Sequence, residues 1–171
     1  MRYLFDADVL ISAKNFHYNP GFCPEFWEWI VVGHSAGLLF SIDKVRDELL
    51  NGSKDDPLYA WARSAPLEGF FLNSKPATAK WRLLSQWAND PKRGYFEAAK
   101  AKFLDDESAD AWLIAVAAEE GDFRIITNEV PAPESKRDIK LPDAAAALDV
   151  KTIALHEVLA SHAGPGFKFK L

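Results

Sequence analysis

Short apolar runs alternate with longer segments of helical periodicity along most of this chain. Runs of three or four apolar residues that end at polar residues or glycine are typical of strands buried on both faces of a parallel sheet. The predicted strands are residues 3–5, 38–40, 124–127 and 152–155, and residues 69–72 form either a strand or a loop. Because parallel neighbours need long crossovers, the pattern predicts an α/β fold, a three-layer α/β/α sandwich with a mainly parallel central sheet.

Helices are predicted between these strands from apolar spacing and from start and stop signals. Pro24 opens the first, which Gly33 or Gly37 ends, and Ser41 or Asp43 caps the second, which residues 51–52 end. Further helical segments are expected at 58–65, 77–87, 95–104, 111–118 after an acid-rich start at 105–108, from 141–143 onward, and 156–162. Residues 9–11 follow the first strand directly, so a turn is expected there.

The size and composition of the chain favour a single domain spanning residues 1–171. Of its residues 49% are apolar, enough for one substantial core. The 25 acidic and 20 basic residues give a formal charge of -5, which is unfavourable for attracting a polyanion as a whole. Any surface that binds nucleic acid must therefore be local.

The chain shows no signal for export or membrane insertion, and the cytoplasm is the expected location. The single cysteine, Cys23, cannot form a disulfide within the chain, in agreement with a reducing compartment. Asp6 interrupts the first apolar run before the core of a secretion signal is complete. The most apolar later stretch, residues 29–40, is too short to cross a bilayer.

Four acidic residues stand where predicted buried elements meet loops. Asp6 and Glu129 follow two strands, Glu48 lies at the margin of the buried face of a helix, and Asp110 is in the first turn of the most apolar helix. Ligands of parallel α/β sheets bind beyond the carboxyl ends of the strands, and Mg²⁺ prefers oxygen ligands. Although each acid alone also has a structural explanation, the ordered set predicts a site for a divalent cation such as Mg²⁺.

The segments around these acids resemble the PIN domain. The resemblance covers residues 5–12 (FDADVLIS), 45–49 (VRDEL), 110–117 (DAWLIAVA) and 126–129 (ITNE), in the order and spacing of that family and over nearly the whole chain. Residues 140–143, with the helix and strand after them, are similar to a prokaryotic PIN branch related to VapC toxins. The resemblance implies an endoribonuclease that depends on Mg²⁺ or Mn²⁺, and often the toxin of a toxin–antitoxin pair.

The resemblance also implies roles for individual residues. Asp6, Glu48 and Asp110 take the places of the three core metal-binding and catalytic acids, and Glu129 takes that of the fourth, which is usually aspartate. The supporting positions are Asp8, Thr127 and Asn128. Asp8 stands where the family often has asparagine or serine, and Thr127 where a hydroxyl commonly supports the site.

Candidate contacts to RNA come from basic residues. Lys136, Arg137 and Lys140 lie in the loop after Glu129, near enough to the expected site to hold a substrate strand. A second basic group lies on the middle helices, where solvated helix faces explain it equally well: Lys75, Lys80, Arg82, Lys92, Arg93, Lys100 and Lys102. Exposed aromatic residues on the helices favour a homodimer or a surface for an antitoxin.

The sequence also allows two other functions. Residues 5–9 also resemble the nucleophile motif of haloacid-dehalogenase-type phosphatases, in which Asp6 would form a phospho-enzyme and Asp8 would act as acid and base. The pair Asn128 and Glu129 fits the paired-acid loop of that family poorly. Alternatively, the PIN scaffold binds RNA or a protein without cleavage, for which Glu129 in place of aspartate is the main argument.

Overall fold

A five-stranded sheet in which all neighbours are parallel forms the centre of the protein, in a computed structural model that describes residues 1–171. Its strands are β1 (Arg2–Phe5), β2 (Leu39–Ile42), β3 (Phe71–Leu72), β4 (Phe123–Ile126) and β5 (Lys151–Ile153). Their order is β3-β2-β1-β4-β5. The α/β fold class with a parallel sheet between helices is confirmed.

Eight α-helices lie between the strands along the chain, and a ninth follows the last strand. They are α1 (Ala7–Ser12), α2 (Pro24–Ser35), α3 (Asp43–Leu50), α4 (Pro57–Trp61), α5 (Thr78–Asn89), α6 (Glu97–Phe103), α7 (Ala109–Glu120), α8 (Leu141–Ala146) and α9 (Leu155–His162). A π-helical turn follows α1 at Ala13–His17, and short 3₁₀ turns occur at Ala65–Leu67, Lys75–Ala77, Pro91–Arg93 and Pro165–Phe167. None of these helices has the length and the apolar surface needed to cross a bilayer.

Three local expectations were wrong. Helix α3 has Ile42 as its N-cap, so neither Ser41, which lies in β2, nor Asp43, its first residue, caps it. The residues after Asp6 form helix α1 at once instead of a turn. The acid-rich segment 105–108 does not begin α7, which starts at Ala109. There the side chain of Asp105 accepts a hydrogen bond from the backbone N–H of Glu107 at 2.9 Å. Such local side-chain bonds compete with helical hydrogen bonding, so the segment forms a turn that leads into the helix.

Helix α7 lies at the centre of the core. Every residue from Ala111 to Ala117 is buried, because α7 packs against the sheet on one side and against α5 on another. This explains why the segment is apolar all round instead of having one apolar face. The six tryptophans pack in or against this core: Trp27, Trp29 and Trp112 are buried, and Trp61, Trp81 and Trp87 are partly buried.

The strand order creates a crevice at one end of the sheet. From the central β1 the chain continues to β2 on one side, and β4 lies on the other side in register, with Phe5 opposite Ile126. Where connections leave neighbouring parallel strands in opposite directions, a ligand site commonly lies beyond their carboxyl ends. In this protein that point is occupied by Asp6 and by the residues that follow Ile126.

Candidate metal centre

Asp6 is fixed at the bottom of this crevice. Its backbone N–H donates to the carbonyl oxygen of Ile126 at 3.1 Å, which extends the β1–β4 pairing by one residue. Its side chain is only 4% exposed. The hydroxyl of Ser41, from β2, donates to the carbonyl oxygen of Phe5 at 2.7 Å, so the strand end that carries Asp6 is held from both neighbouring strands.

The buried hydroxyl of Thr127 links Asp6 to Glu129. It donates to Oδ2 of Asp6 at 3.0 Å and accepts a hydrogen bond from the backbone N–H of Glu129 at 3.1 Å. One hydroxyl thereby orients a carboxylate of β1 and the start of the loop after β4. Thr127, which the resemblance gives as a supporting position, lies beside Asp6 in the structure, and its role in a reaction stays a prediction.

The surroundings of Asp6 and Asp110 disfavour negative charge. Burial first, and then the charge of Asp110, raise the pKa of Asp6 to about 8, although the hydrogen bond from Thr127 lowers it. Burial, and then the charges of Glu129 and Glu48, raise the pKa of Asp110 to about 6. Asp110 therefore lies close enough to the other three acids to interact electrostatically with each of them.

Glu48 has a structural contact as well as a place in this group. From α3, its Oε1 accepts a hydrogen bond from the backbone N–H of Ala109 at 2.9 Å, which satisfies a free donor at the first turn of α7. Burial raises the pKa of Glu48, and this hydrogen bond opposes the shift. The contact joins α3 to α7 directly beside Asp110.

Glu129 makes the corresponding contact to α8. Its Oε2 accepts from the backbone N–H of Leu141 at 2.7 Å, and its Oε1 lies 3.9 Å from Nζ of Lys140. The glutamate side chain thus reaches the start of α8, twelve residues further along the chain. Its charge also raises the pKa of Asp110. The other two predicted supporting residues, Asp8 and Asn128, are exposed. Nδ2 of Asn128 lies 3.5 Å from Oδ2 of Asp8, at the outer limit of a hydrogen bond.

A narrow cleft beside Asp110 is lined by two of the basic residues that were considered as candidate contacts to RNA. It has a volume of about 30 Å³, enough for an ion or a water molecule, and Asp110, Glu129, Lys140 and Lys102 line it. Both lysines lower the pKa of Asp110 against the dominant effects. Lys136 instead lines a separate, larger cleft, and Arg137 is exposed. The position of Lys102 in this cleft was not predicted, since in the sequence it is one of seven scattered basic residues.

The carboxylates in this arrangement form only part of a binding site for a divalent cation. No group of three or more histidine, cysteine, aspartate or glutamate side chains lies close enough together to hold a metal ion directly. The available donors are nevertheless all carboxylate oxygens, and the charge of Asp110 raises the pKa of Asp6. Mg²⁺ commonly uses one or two carboxylates and keeps several waters, so Asp6 and Asp110 fit such an ion.

Removing the Thr127 hydroxyl should weaken this site without removing an acid. In Thr127→Val, Asp6 loses the hydrogen bond that favours its charged form, so its pKa should rise further. Loss of a group that orients a metal ligand typically costs 10–100-fold in metal affinity or activity. We expect a decrease of about that size in Mn²⁺ affinity, measured by calorimetry, whereas Thr127→Ser should bind nearly as the wild type. Equal affinities of the two variants would contradict this role.

Together, the fold and this site define an all-parallel α/β protein with one buried acid and three partly buried acids near the carboxyl ends of its central strands. The chain matches the family described as "Domain of unknown function (DUF4411)" over residues 3–164, and it belongs to that family. Comparison with curated proteins and with solved structures gave no match. The residues matched include all four acids of the site.

Proposed function

We propose that this protein is a metal-dependent endoribonuclease of the PIN type, which hydrolyses RNA phosphodiester bonds with Mg²⁺ or Mn²⁺. The observation that carries the proposal is the pair Asp6 and Asp110 at the crevice of the sheet: Asp6 is buried, Asp110 is partly buried, and the charge of Asp110 disfavours ionisation of Asp6. Buried charges of the same sign are unfavourable unless a cation balances them. A divalent ion between them would remove that penalty.

The other residues of the site would serve the same reaction. When bound, the divalent ion would lower the pKa of a water molecule and offset negative charge on the phosphate. Asp6 and Asp110 would hold the ion directly, and Glu48 and Glu129 would act through water with the oxygen that each has left. Thr127 keeps Asp6 in place, while Lys140 and Lys102 supply positive charge at the mouth of the cleft for the phosphate.

The proposal is tested by incubating the protein with single-stranded RNA. Cleavage is expected with Mg²⁺ or Mn²⁺, none in EDTA, and recovery when excess Mn²⁺ is added back. In parallel, calorimetry should detect Mn²⁺ uptake in the millimolar range or below. Cleavage that persists in EDTA would exclude a metal-dependent enzyme. Absence of both Mn²⁺ uptake and cleavage would favour a module that binds RNA or protein without cutting.

Asp8 distinguishes the nuclease from a phosphatase of the haloacid-dehalogenase type. Asp8 is exposed and its charge only adds to the raised pKa of Asp6, so Asp8→Asn should leave RNA cleavage within about threefold of wild type. In the phosphatase, Asp8 would be the acid and base, and its loss would cost about 10²–10⁴-fold. The wild type and Asp8→Asn are both assayed with RNA and with p-nitrophenyl phosphate. Phosphatase activity that Asp8→Asn abolishes would reverse the assignment.

The proposal extends to a toxin of a toxin–antitoxin pair in the cytoplasm. Two large aromatic side chains near α1, Phe16 and Phe22, are 72% and 70% exposed. Such exposed apolar groups support a protein partner, either a small antitoxin or a second copy of this chain. The free thiol of Cys23 is compatible with a reducing compartment.

A further inference from the structure

A second, larger cleft lies next to the candidate metal centre along the chain. It has a volume of about 530 Å³ and is formed by α5, the turn after it, the loop 131–140 and α8. Its aromatic and basic residues are Trp87, Lys92, Arg93, Tyr95 and Lys136, and these five residues define what we call the aromatic–basic cleft. None of these five residues lines the narrow cleft beside Asp110.

Aromatic rings and cations are interleaved in this cleft. The rings of Trp87 and Tyr95 are 5.7 Å apart between centroids and inclined by 54°. Cζ of Arg93 lies 4.8 Å from the centroid of Trp87, and Nζ of Lys136 lies 5.5 Å from that of Tyr95. Both rings are only partly buried, so part of each ring borders the cleft. Sites for single-stranded nucleic acids combine ring surfaces for bases with cations for the backbone.

The cleft is locally cationic in an acidic protein. Lys92, Arg93 and Lys136 form no ion pair within the chain. The two acids that line the cleft are engaged with backbone groups: Asp90 accepts from the N–H of Lys92 at 3.0 Å, and Asp143 accepts from the N–H of Ala132 at 2.8 Å. The positive charges therefore remain available to an anion, although the chain as a whole carries -5.

The loop 131–140 connects this cleft to the candidate metal centre. Lys136 lines the aromatic–basic cleft and Lys140 lines the cleft with Asp110, and four residues of chain span at most about 14 Å. The loop is fixed near both clefts, because the N–H of Phe96 donates to the carbonyl oxygen of Lys136 at 2.9 Å and Glu129 holds the N–H of Leu141. A single strand of a few nucleotides could contact both clefts.

We propose that the aromatic–basic cleft is a subsite for a nucleotide of single-stranded RNA flanking the one at the metal centre. The base lies against Tyr95 and Trp87, and Lys92, Arg93 and Lys136 contact the adjoining phosphates. This inference rests on the proposed nuclease function for the identity of the ligand. It adds that the substrate must extend beyond the scissile phosphate as an unpaired strand.

The test measures binding of a short fluorescein-labelled oligoribonucleotide by anisotropy, with the full-length Asp6→Asn protein as the uncleaving parent. Adding Lys136→Ala should weaken binding and make the slope of log K against log salt shallower by about 0.7, the value for one lost phosphate contact to a single strand. The matched control is Lys151→Ala. Lys151 is an exposed lysine at the amino end of β5, away from the crevice. The RNA affinity and the salt slope of the Lys151→Ala variant should therefore equal those of the parent.

The stacking contact is tested separately. Tyr95→Leu should weaken binding by about 5- to 150-fold, the range for removal of one base–aromatic stack. Tyr95→Phe keeps the ring and should bind within about threefold of the parent. Circular dichroism establishes that each variant is folded. If Lys136→Ala fails to fold, Lys92→Ala replaces it, because the side chain of Lys92 forms no ion pair.

Each outcome decides between the two proposals. If the cleft variants bind like Lys151→Ala, the subsite is excluded, while metal-dependent cleavage by the wild type would still support the nuclease. If the parent binds no RNA, the subsite is also excluded and the cleavage assay alone judges the nuclease. Equal competition by polyglutamate would show a general anion site and overturn the nucleotide assignment. A shallower salt slope for Lys136→Ala together with the Tyr95 pattern would establish it.

Discussion

Replacing Asp6 by asparagine is expected to lower metal-dependent cleavage of single-stranded RNA by about 10³-fold or more, while the protein stays folded. Asparagine has nearly the same shape, and its side-chain oxygen can still accept the hydrogen bond from Thr127. What is lost is the one carboxylate at the bottom of the crevice, which is only 4% exposed and cannot be replaced by a neighbour. Cleavage is measured with purified protein in Mn²⁺, and folding by circular dichroism.

A matched substitution away from the site serves as the control for Asp6→Asn. Asp55→Asn alters the same type of group at an exposed position between α3 and α4 and should cleave as the wild type does. Calorimetry on the same samples should show Mn²⁺ uptake by Asp55→Asn and much weaker uptake by Asp6→Asn. An Asp6→Asn protein with full activity would exclude Asp6 from the reaction and, with it, the proposed metal centre.

The metal-free protein should become less stable as the pH rises from about 4 to about 8. Burial and the charge of Asp110 raise the pKa of Asp6 from 3.8 to about 8, and that of Asp110 rises to about 6. Between the unfolded and folded pKa values the folded state binds more protons, so the free energy of unfolding decreases with pH and levels off above pH 8. Each pKa unit corresponds to about 1.4 kcal/mol, which bounds the contribution of Asp6 at roughly 6 kcal/mol.

Asp6→Asn should remove most of this dependence, because asparagine does not ionise. In EDTA at pH 9 the variant should be more stable than the wild type by several kcal/mol, and at pH 4 nearly equal to it. Asp56 and Asp122 have lowered pKa values, so their effects fall below about pH 4 and do not overlap. Urea unfolding followed by circular dichroism at several pH values measures the difference. Parallel curves for the two proteins would show that Asp6 is not an unfavourable buried charge.

Divalent ions should reverse the trend in the wild type. A bound ion favours the ionised carboxyls, so Mn²⁺ should stabilise the wild type increasingly as the pH rises, and it should stabilise Asp6→Asn far less. The same urea titrations in Mn²⁺ and in EDTA give this comparison. Stabilisation of equal size in both proteins would locate the ion elsewhere.

The strands could be read from the sequence, because short runs buried on both faces contain almost no polar residue. Asp6 ends such a run and Asp110 stands at the start of the most apolar helix, so both acids stand out, and in the structure the charge of Asp110 acts on Asp6. Helix α1 was missed because its six residues are too few to show a helical period. The turn at Asp105 was missed because an acid favours both a helix start and a local side-chain bond.

Contacts between a side chain and a distant backbone group could not be predicted. Glu48 meets the N–H of Ala109, and Glu129 meets that of Leu141, and neither pair has a characteristic spacing. The length of Glu129 looked like a departure from the aspartate of PIN domains, whereas in the structure it reaches the start of α8. The aromatic–basic cleft was missed for a similar reason, since it forms only when α5, the loop and α8 meet.

The two glutamates at the helix starts constrain how this protein could change during evolution. A smaller residue at position 48 or 129 would leave a backbone donor of α7 or α8 without its acceptor, so mutation would cost stability together with activity. Glutamine keeps the same reach and the same accepting oxygen but carries no charge. If the proposed nuclease activity were lost in a folded descendant, glutamine would therefore be the expected residue at these positions, reached from either glutamate codon by a single nucleotide change.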